Sequence, residues 1–320
     1  MNIKPCDYTL KANWLVLCRV LRMRLSNTEN LAMLAVAISG LAWGVFWIPL
    51  RALDAAGIAG VWAVVLFYAL PTLLLVPVMY VRRRQVIEGG WSLHFAGMLA
   101  GLALVCYAGA LVFTDVVRAL LFYYLTPIWS TLLARIVIGE VITWRRWGTI
   151  GLGLTGLVLI LQIDKGFSGS LNAGDWMGLA AGVLWAIAAV LMKSDTGGTG
   201  VDFTVSYFIW GSVAALLLTM LPLQEAQSAP NWNTIRDVLS WIVPVVLFLV
   251  IPPAFAIMWG ETVLSPGLLS ILFMTEISAG SITAAIWADE PFGPREISGV
   301  ILITAAGIWE PLLGIWKDET

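Results

Sequence analysis

Charge is what this chain has least of. Only 12% of its 320 residues are Asp, Glu, Lys or Arg, against roughly 25% in an ordinary soluble domain. Histidine is nearly absent, with His94 alone, and the three cysteines, Cys6, Cys18 and Cys106, show neither a pairing pattern nor the spacing of metal ligands. No metal centre, disulfide framework or cofactor is expected from such a set. There is no serine–histidine pattern and no pair of intramembrane aspartates, which argues against an intramembrane enzyme. A channel would need a repeated filter loop or a ring-forming run of charge, and neither is found. The formal net charge of −2 gives no reason to expect nucleic acid as a partner.

What fills the sequence instead is hydrophobic residue, 60% of the chain. Apolar windows long enough to span a hydrocarbon core of about 30 Å as helices fall at 31–50, 60–80, 94–113, 117–138, 147–163, 174–192, 203–222, 238–257, 266–288 and 297–316. The fold class expected is therefore an all-α membrane protein of ten transmembrane helices, with the lipid bilayer as its surroundings. Basic residues gather on alternate loops, at the N-terminal tail, Arg82-Arg83-Arg84, Arg135, Arg145-Arg146, Lys193 and Lys317. The other side has Arg51, Arg118, Lys165, Arg236 and Arg295. By the positive-inside rule both termini are cytoplasmic. Residues 1–30 form an N-terminal cytoplasmic tail, in which Trp14 to Leu25 reads equally as an interfacial amphipathic helix or as disordered chain.

The chain also reads as a sequence written twice. Gly40 and Trp43 in SGLAWG match Gly182 and Trp185 in AGVLWA, and Glu140, Gly148 and Gly156 match Glu290, Gly299 and Gly307 after a one-residue slip. Two five-helix repeats follow, 31–163 and 174–316, and an odd number of spans inserts the second upside down relative to the first. Small-xxx-small pairs at Gly97/Gly101 and Gly178/Gly182 would let helices approach closely.

This layout, the Gly-x-x-Trp of spans one and six, and the stretch YYLTPIWSTLLARIVIGE at 123–140 resemble the drug/metabolite transporter superfamily, and within it the bacterial aromatic amino acid exporters. The resemblance covers about residues 31–316. It implies a multi-pass exporter in a bacterial-type inner membrane, working by alternating access to a central cavity, with an aromatic amino acid as its small-molecule substrate. Another small metabolite or a cationic drug is the alternative within that class.

Many of the 17 tryptophans sit near span ends, as an interfacial belt would require. Trp43, Tyr107, Tyr123, Tyr124, Trp129 and Trp185 fall deeper, where an indole or phenol needs a partner for its polar atom. They are the candidate substrate-binding residues, joined by Glu276, the single acid in the middle of the run from Pro266 to Ala288. An acid at the helix centre costs on the order of 2.5 to 3.5 kcal/mol on insertion scales. Superposing the repeats aligns Tyr123, Thr126, Pro127, Ser130 and Ala134 with Phe273, Glu276, Ile277, Gly280 and Ala284, two stripes at helical spacing that suit a shared wet cavity better than lipid. Ile277 stands where the resemblance leads one to expect a proline, which leaves no obvious helix breaker there. Prolines 127, 252 and 253 mark expected kinks. Arg118, opening span four, could attract a carboxylate substrate, but a snorkelling arginine at a helix end is the commoner case; Glu310, near a span end, and Glu261, in a short loop, read as solvated groups.

Overall fold

The computed structural model describes residues 27–58, 60–114, 116–162, 171–195, 197–220, 229–287 and 292–317, and every regular element among them is a helix. The N-terminal segment through Cys6 and Cys18, Lys165 and Glu290 lie outside the described residues. The principal helices are α1 (Asn27–Ala55), α2 (Val61–Leu74), α3 (Gly90–Phe113), α4 (Arg118–Ile138), α5 (Trp144–Ile160), α6 (Ala173–Ser194), α7 (Gly200–Leu218), α8 (Trp232–Val263), α9 (Pro266–Trp287) and α10 (Pro294–Lys317). Seven of them are long and apolar enough to cross a membrane. The other three are α2, whose 14 residues are continued by the short helix Val76–Val81, α5 with 17 residues, and α10 with 24.

Most helix starts are written in the sequence. Asn172 and Thr199 each form a capping box with the aspartate three residues on, Asp175 and Asp202. Asn231 accepts from Thr234 N, and Ser265, followed by Pro266 in the first turn, accepts from Leu268 N. The largest departure from the apolar windows is α8, expected at 238–257. Its polar first turn does not register in a hydropathy window, and the helix runs past Gly260 to Val263, so Glu261 is a helical, fully buried residue rather than a loop acid.

Besides α1, which is interrupted by a turn at Val45-Phe46, three helices are broken inside the bundle. α4 unwinds between Tyr123 and Thr126, just before Pro127, and ends in a π turn, Ala134–Ile138, closed by left-handed Gly139. α8 passes through a π turn at Val246–Val250 ahead of Pro252-Pro253, where the carbonyls one turn back lose the N–H donors that two consecutive prolines lack. α9 breaks at Met274 although no proline is present. There the Thr275 hydroxyl supplies the interruption by donating to Leu272 O at 2.9 Å and to Ala37 O of α1 at 3.1 Å.

Glycines set the crossings. On α1, a Cβ at Gly40 would meet Thr275 Oγ1 and the backbone of Phe273 and Glu276, and one at Gly44 would meet Ala279 and the backbone of Glu276 and Gly280. On α6, a Cβ at Gly182 would meet Thr126 Oγ1 and Tyr123 O, and one at Gly178 would meet Ala119 O and Phe122. The two glycine pairs thus seat the breaks of α9 and α4 in the same manner, with no room for a side chain between the backbones. In both, a threonine hydroxyl bonds the carbonyl three residues back, Thr275 to Leu272 and Thr126 to Tyr123. These contacts pair Thr126 with Thr275, one residue out of register from the sequence superposition, which had set Thr126 opposite Glu276. Gly97 and Gly101 of α3 meet Ser206 and Gly211 of α7, and Gly156 of α5 meets Gly299 of α10.

Candidate functional site

A cavity of about 1440 Å³ lies among α1, α2, α3, α4, α6, α7, α8 and α9. Its mouth is formed by Arg51, Asp54, Gly60, Arg118, Gln162 and Glu296, at the C-terminal ends of α1 and α5, ahead of α2, and at the N-terminal ends of α4 and α10. Among the described residues, none that lines the cavity comes from the opposite ends of the helices, near residues 82–90, 138–144, 194–200 or 263–266. The cavity therefore opens to one face of the bundle only.

Its walls are aromatic. On one side the Tyr107 and Tyr123 rings lie 4.5 Å apart and Tyr123 meets Tyr124 edge-on at 5.1 Å. On the other, Trp43 packs on Phe46 at 5.0 Å and Phe46 on Phe67 at 4.5 Å, while Trp185 faces the edge of Tyr207 at 6.5 Å. The buried hydroxyls of Tyr68 and Tyr207 are 2.9 Å apart and satisfy each other. Such walls favour planar or apolar ligands through stacking and cationic ones through the ring faces.

Glu276 enters this wall from the first turn after the α9 break, half-buried, its carboxylate accepting a hydrogen bond of 2.5 Å from Tyr124 Oη. Its backbone is pressed against Gly44, so the side chain is aimed by a contact that tolerates no Cβ on the facing helix. Nearer the mouth, Trp47 donates to Thr283 Oγ1 at 3.0 Å and carries the Arg51 guanidinium 4.6 Å above its ring.

Six of the seven sequence candidates meet here: Trp43, Tyr107, Tyr123, Tyr124, Trp185 and Glu276. Trp129 does not. It sits one turn beyond the α4 break, half-buried and outside the cavity wall, with its indole nitrogen unbonded among the described residues. Of the α4 stripe expected to share the cavity only Tyr123 lines it: Thr126, Pro127, Ser130 and Ala134 lie beyond the break, buried against neighbouring helices and, like Trp129, outside the wall. Residues absent from the sequence set are Phe46, Phe67, Tyr68, Tyr207 and Phe208. Tyr68 and Tyr207 had a legible signal, since each is a phenol deep in an apolar window and in need of a partner.

Arg118 also departs from expectation. It is 5% exposed and does not reach for headgroups; its Nε donates to Asp175 Oδ1 at 2.8 Å and its Nη2 to Asp175 Oδ2. Thr114 Oγ1 and Asn172 N complete the bonds to that carboxylate at 2.9 and 2.8 Å. The pair joins the start of α4 to the start of α6 beside the mouth, so Arg118 is committed to structure rather than offered to a ligand.

Known proteins similar to this chain fit the geometry. Residues 30–162, the stretch that runs from α1 to the end of α5, match the EamA-like transporter family. Over 258 residues the chain is 25% identical to a biotin transporter of Escherichia coli (strain K12), covering 77% of this chain and 82% of that protein, and the same figures hold for the biotin transporter of Escherichia coli O157:H7. A solved crystal structure, 17% identical, superposes with a TM-score of 0.68 over 88% of this chain and 98% of that one, a likeness of fold. The family match over residues 30–162 and the transporter-named relatives point to a membrane transporter rather than an enzyme; the solved structure speaks for the fold alone.

Proposed function

We propose that this chain, EamA-like over residues 30–162, is a carrier of two inverted five-helix repeats, α1–α5 and α6–α10, that moves an aromatic amino acid by alternating access. The observation that carries the substrate reading is one carboxylate, Glu276, set in a wall of tyrosine and tryptophan inside a cavity reached from one face. The carboxylate suits a substrate ammonium and the rings suit the side chain. Paired seating of the α4 and α9 breaks on Gly182 and Gly40 supports the repeat. With both termini on the cytoplasmic side of an inner membrane, the mouth faces away from the cytoplasm and the direction of net transport is export. Similarity to the biotin transporters favours a second reading, in which the substrate is biotin.

Flux into proteoliposomes of phenylalanine, tryptophan, leucine and biotin separates the readings. Saturable phenylalanine or tryptophan flux, inhibited by the other and not by biotin, is the expected result; biotin flux alone would transfer the assignment to the second reading. Trp43→Ala and Trp185→Ala should each lower that flux about 10-fold, the order of one lost stacking contact, with unchanged amounts of protein in the membrane. Normal flux in both would put the substrate elsewhere.

Orientation is tested by single cysteines in a cysteine-free background. Cysteines at the exposed positions Arg83 and Arg145 should resist an impermeant thiol reagent added outside intact cells, and those at Ala56 and Leu171 should react. The reverse pattern would invert the protein and the direction of export.

A further inference from the structure

At the end of the bundle away from the cavity mouth, α8 carries an acid that the transport reading leaves without a role. Glu261 is 0% exposed, and its carboxylate makes no well-formed hydrogen bond among the described residues, the Trp185 indole N–H being the donor turned towards it. It is not part of the cavity wall, but Trp185, which is, lies beside it, and Lys193 of α6 is the cation that acts on it. The Lys193 ammonium donates at 2.5 Å to Val263 O, two residues beyond Glu261 on the same helix. A charged carboxylate held dry and unbonded is costly, and the cost falls when water enters or a cation closes on it.

Among the described residues, three close contacts tie α4 and α5 to the start of α9 at this end. Ser130 Oγ and Ser270 Oγ are 3.0 Å apart, Arg146 Nη1 donates to Ser265 Oγ at 3.0 Å, and Gly267 packs so closely that a Cβ would lie 2.3 Å from Thr131 Oγ1. All join α4 and α5 to the chain just past Glu261.

We propose that Glu261 is a proton-binding site that gates this end of the carrier. While the end is shut the group holds its proton; when the end opens, the O–H bond breaks, the proton passes to water, and the carboxylate pairs with Lys193. By linkage, acid then favours the shut form and alkali the open one. Other ionisable groups on the elements packed there are already engaged or distant: Asp202 of α7 is held by Arg82, Tyr207 of α7 bonds Tyr68, Tyr123 of α4 lies in the cavity wall, and Glu29 is exposed at the start of α1. The first segment of α9, Pro266–Phe273, has no ionisable side chain.

The inference rests on the carrier reading, and its test needs no substrate. In nanodiscs, with Cys6, Cys18 and Cys106 replaced, Ser270→Cys reports opening through alkylation, normalised to a cysteine at exposed Arg145. Alkylation should rise at least about 3-fold between about pH 5 and pH 9, within the limit of about tenfold per pH unit that one proton sets. In Glu261→Gln, which keeps the neutral form, it should stay low and flat. A rise in the glutamine variant equal to the parent's would overturn the proposal. If that variant does not accumulate, Lys193→Met, which removes the cation and keeps the acid, must move the rise to higher pH, and an unmoved profile is equally fatal. A response that follows sodium, when choline replaces it, would assign the site to a metal cation instead. A failed flux panel beside an intact, Glu261-dependent profile would sink the substrate assignment and leave the gate standing.

Discussion

Asp175→Asn should destabilise the protein by about 3 to 5 kcal/mol, the range for stranding one member of a buried ion pair. Arg118 and Asp175 have side-chain exposures of 6% and 1%. The asparagine would remove the charge that Asp175 sets against the buried guanidinium while weakening bonds to Thr114 and to the Asn172 backbone. Two comparisons isolate the cause. Arg82→Met breaks an ion pair of similar geometry, 2.7 Å to Asp202; the carboxylate it leaves is 3% exposed but keeps its bonds from Thr199 N and Oγ1, so the loss should be smaller, about 1.5 to 3 kcal/mol. Arg118→Met combined with Asp175→Leu should recover part of what Asp175→Asn loses, because no unpaired charge remains. The measurement is the temperature at which half of the detergent-solubilised protein stays monodisperse. Equal losses for Asp175→Asn and Arg82→Met would show that burial of the first pair has no energetic weight.

That pair also marks the limit of what the sequence could tell. Helix positions were legible because apolar length is a local property, and the crossings were legible because small residues at i and i+4 have few other uses in a membrane. A bond between Arg118 and Asp175 joins residues 57 apart at two helix ends, where a solvated side chain is the ordinary case, so no local pattern announced it. Glu261 was lost for a related reason: its distance from the end of an apolar window says nothing about what covers it. The break in α9 was expected to need a proline, and the structure makes it with Thr275 against Gly40. Once α4 unwinds at Tyr124, a single helical stripe no longer describes both of its segments, which is why Tyr124 faces the cavity and Trp129 does not.

Glu276→Gln is the sharpest test of the cavity itself. Glutamine keeps the length of the side chain and an oxygen to accept from Tyr124 Oη, and it leaves the tight backbone contact with Gly44 undisturbed. Thermal stability should therefore stay within about 1 kcal/mol of the parent, the ordinary range for a substitution that opens no hole and strands no group. What glutamine removes is the charge. A bond from a substrate ammonium to a carboxylate is worth about 1.5 to 3 kcal/mol, so phenylalanine transport should show an apparent KM raised roughly 10- to 100-fold. Glu276→Leu should lose transport and stability together, because it leaves the buried Tyr124 hydroxyl without its acceptor. Biotin, which has no ammonium, provides the contrast: if it is the substrate, the glutamine variant should carry it at least as well as the parent. Unchanged KM values for every amino acid in the panel would reduce Glu276 to a packing residue bonded to Tyr124, and would remove the reason for reading the cavity as an ammonium site.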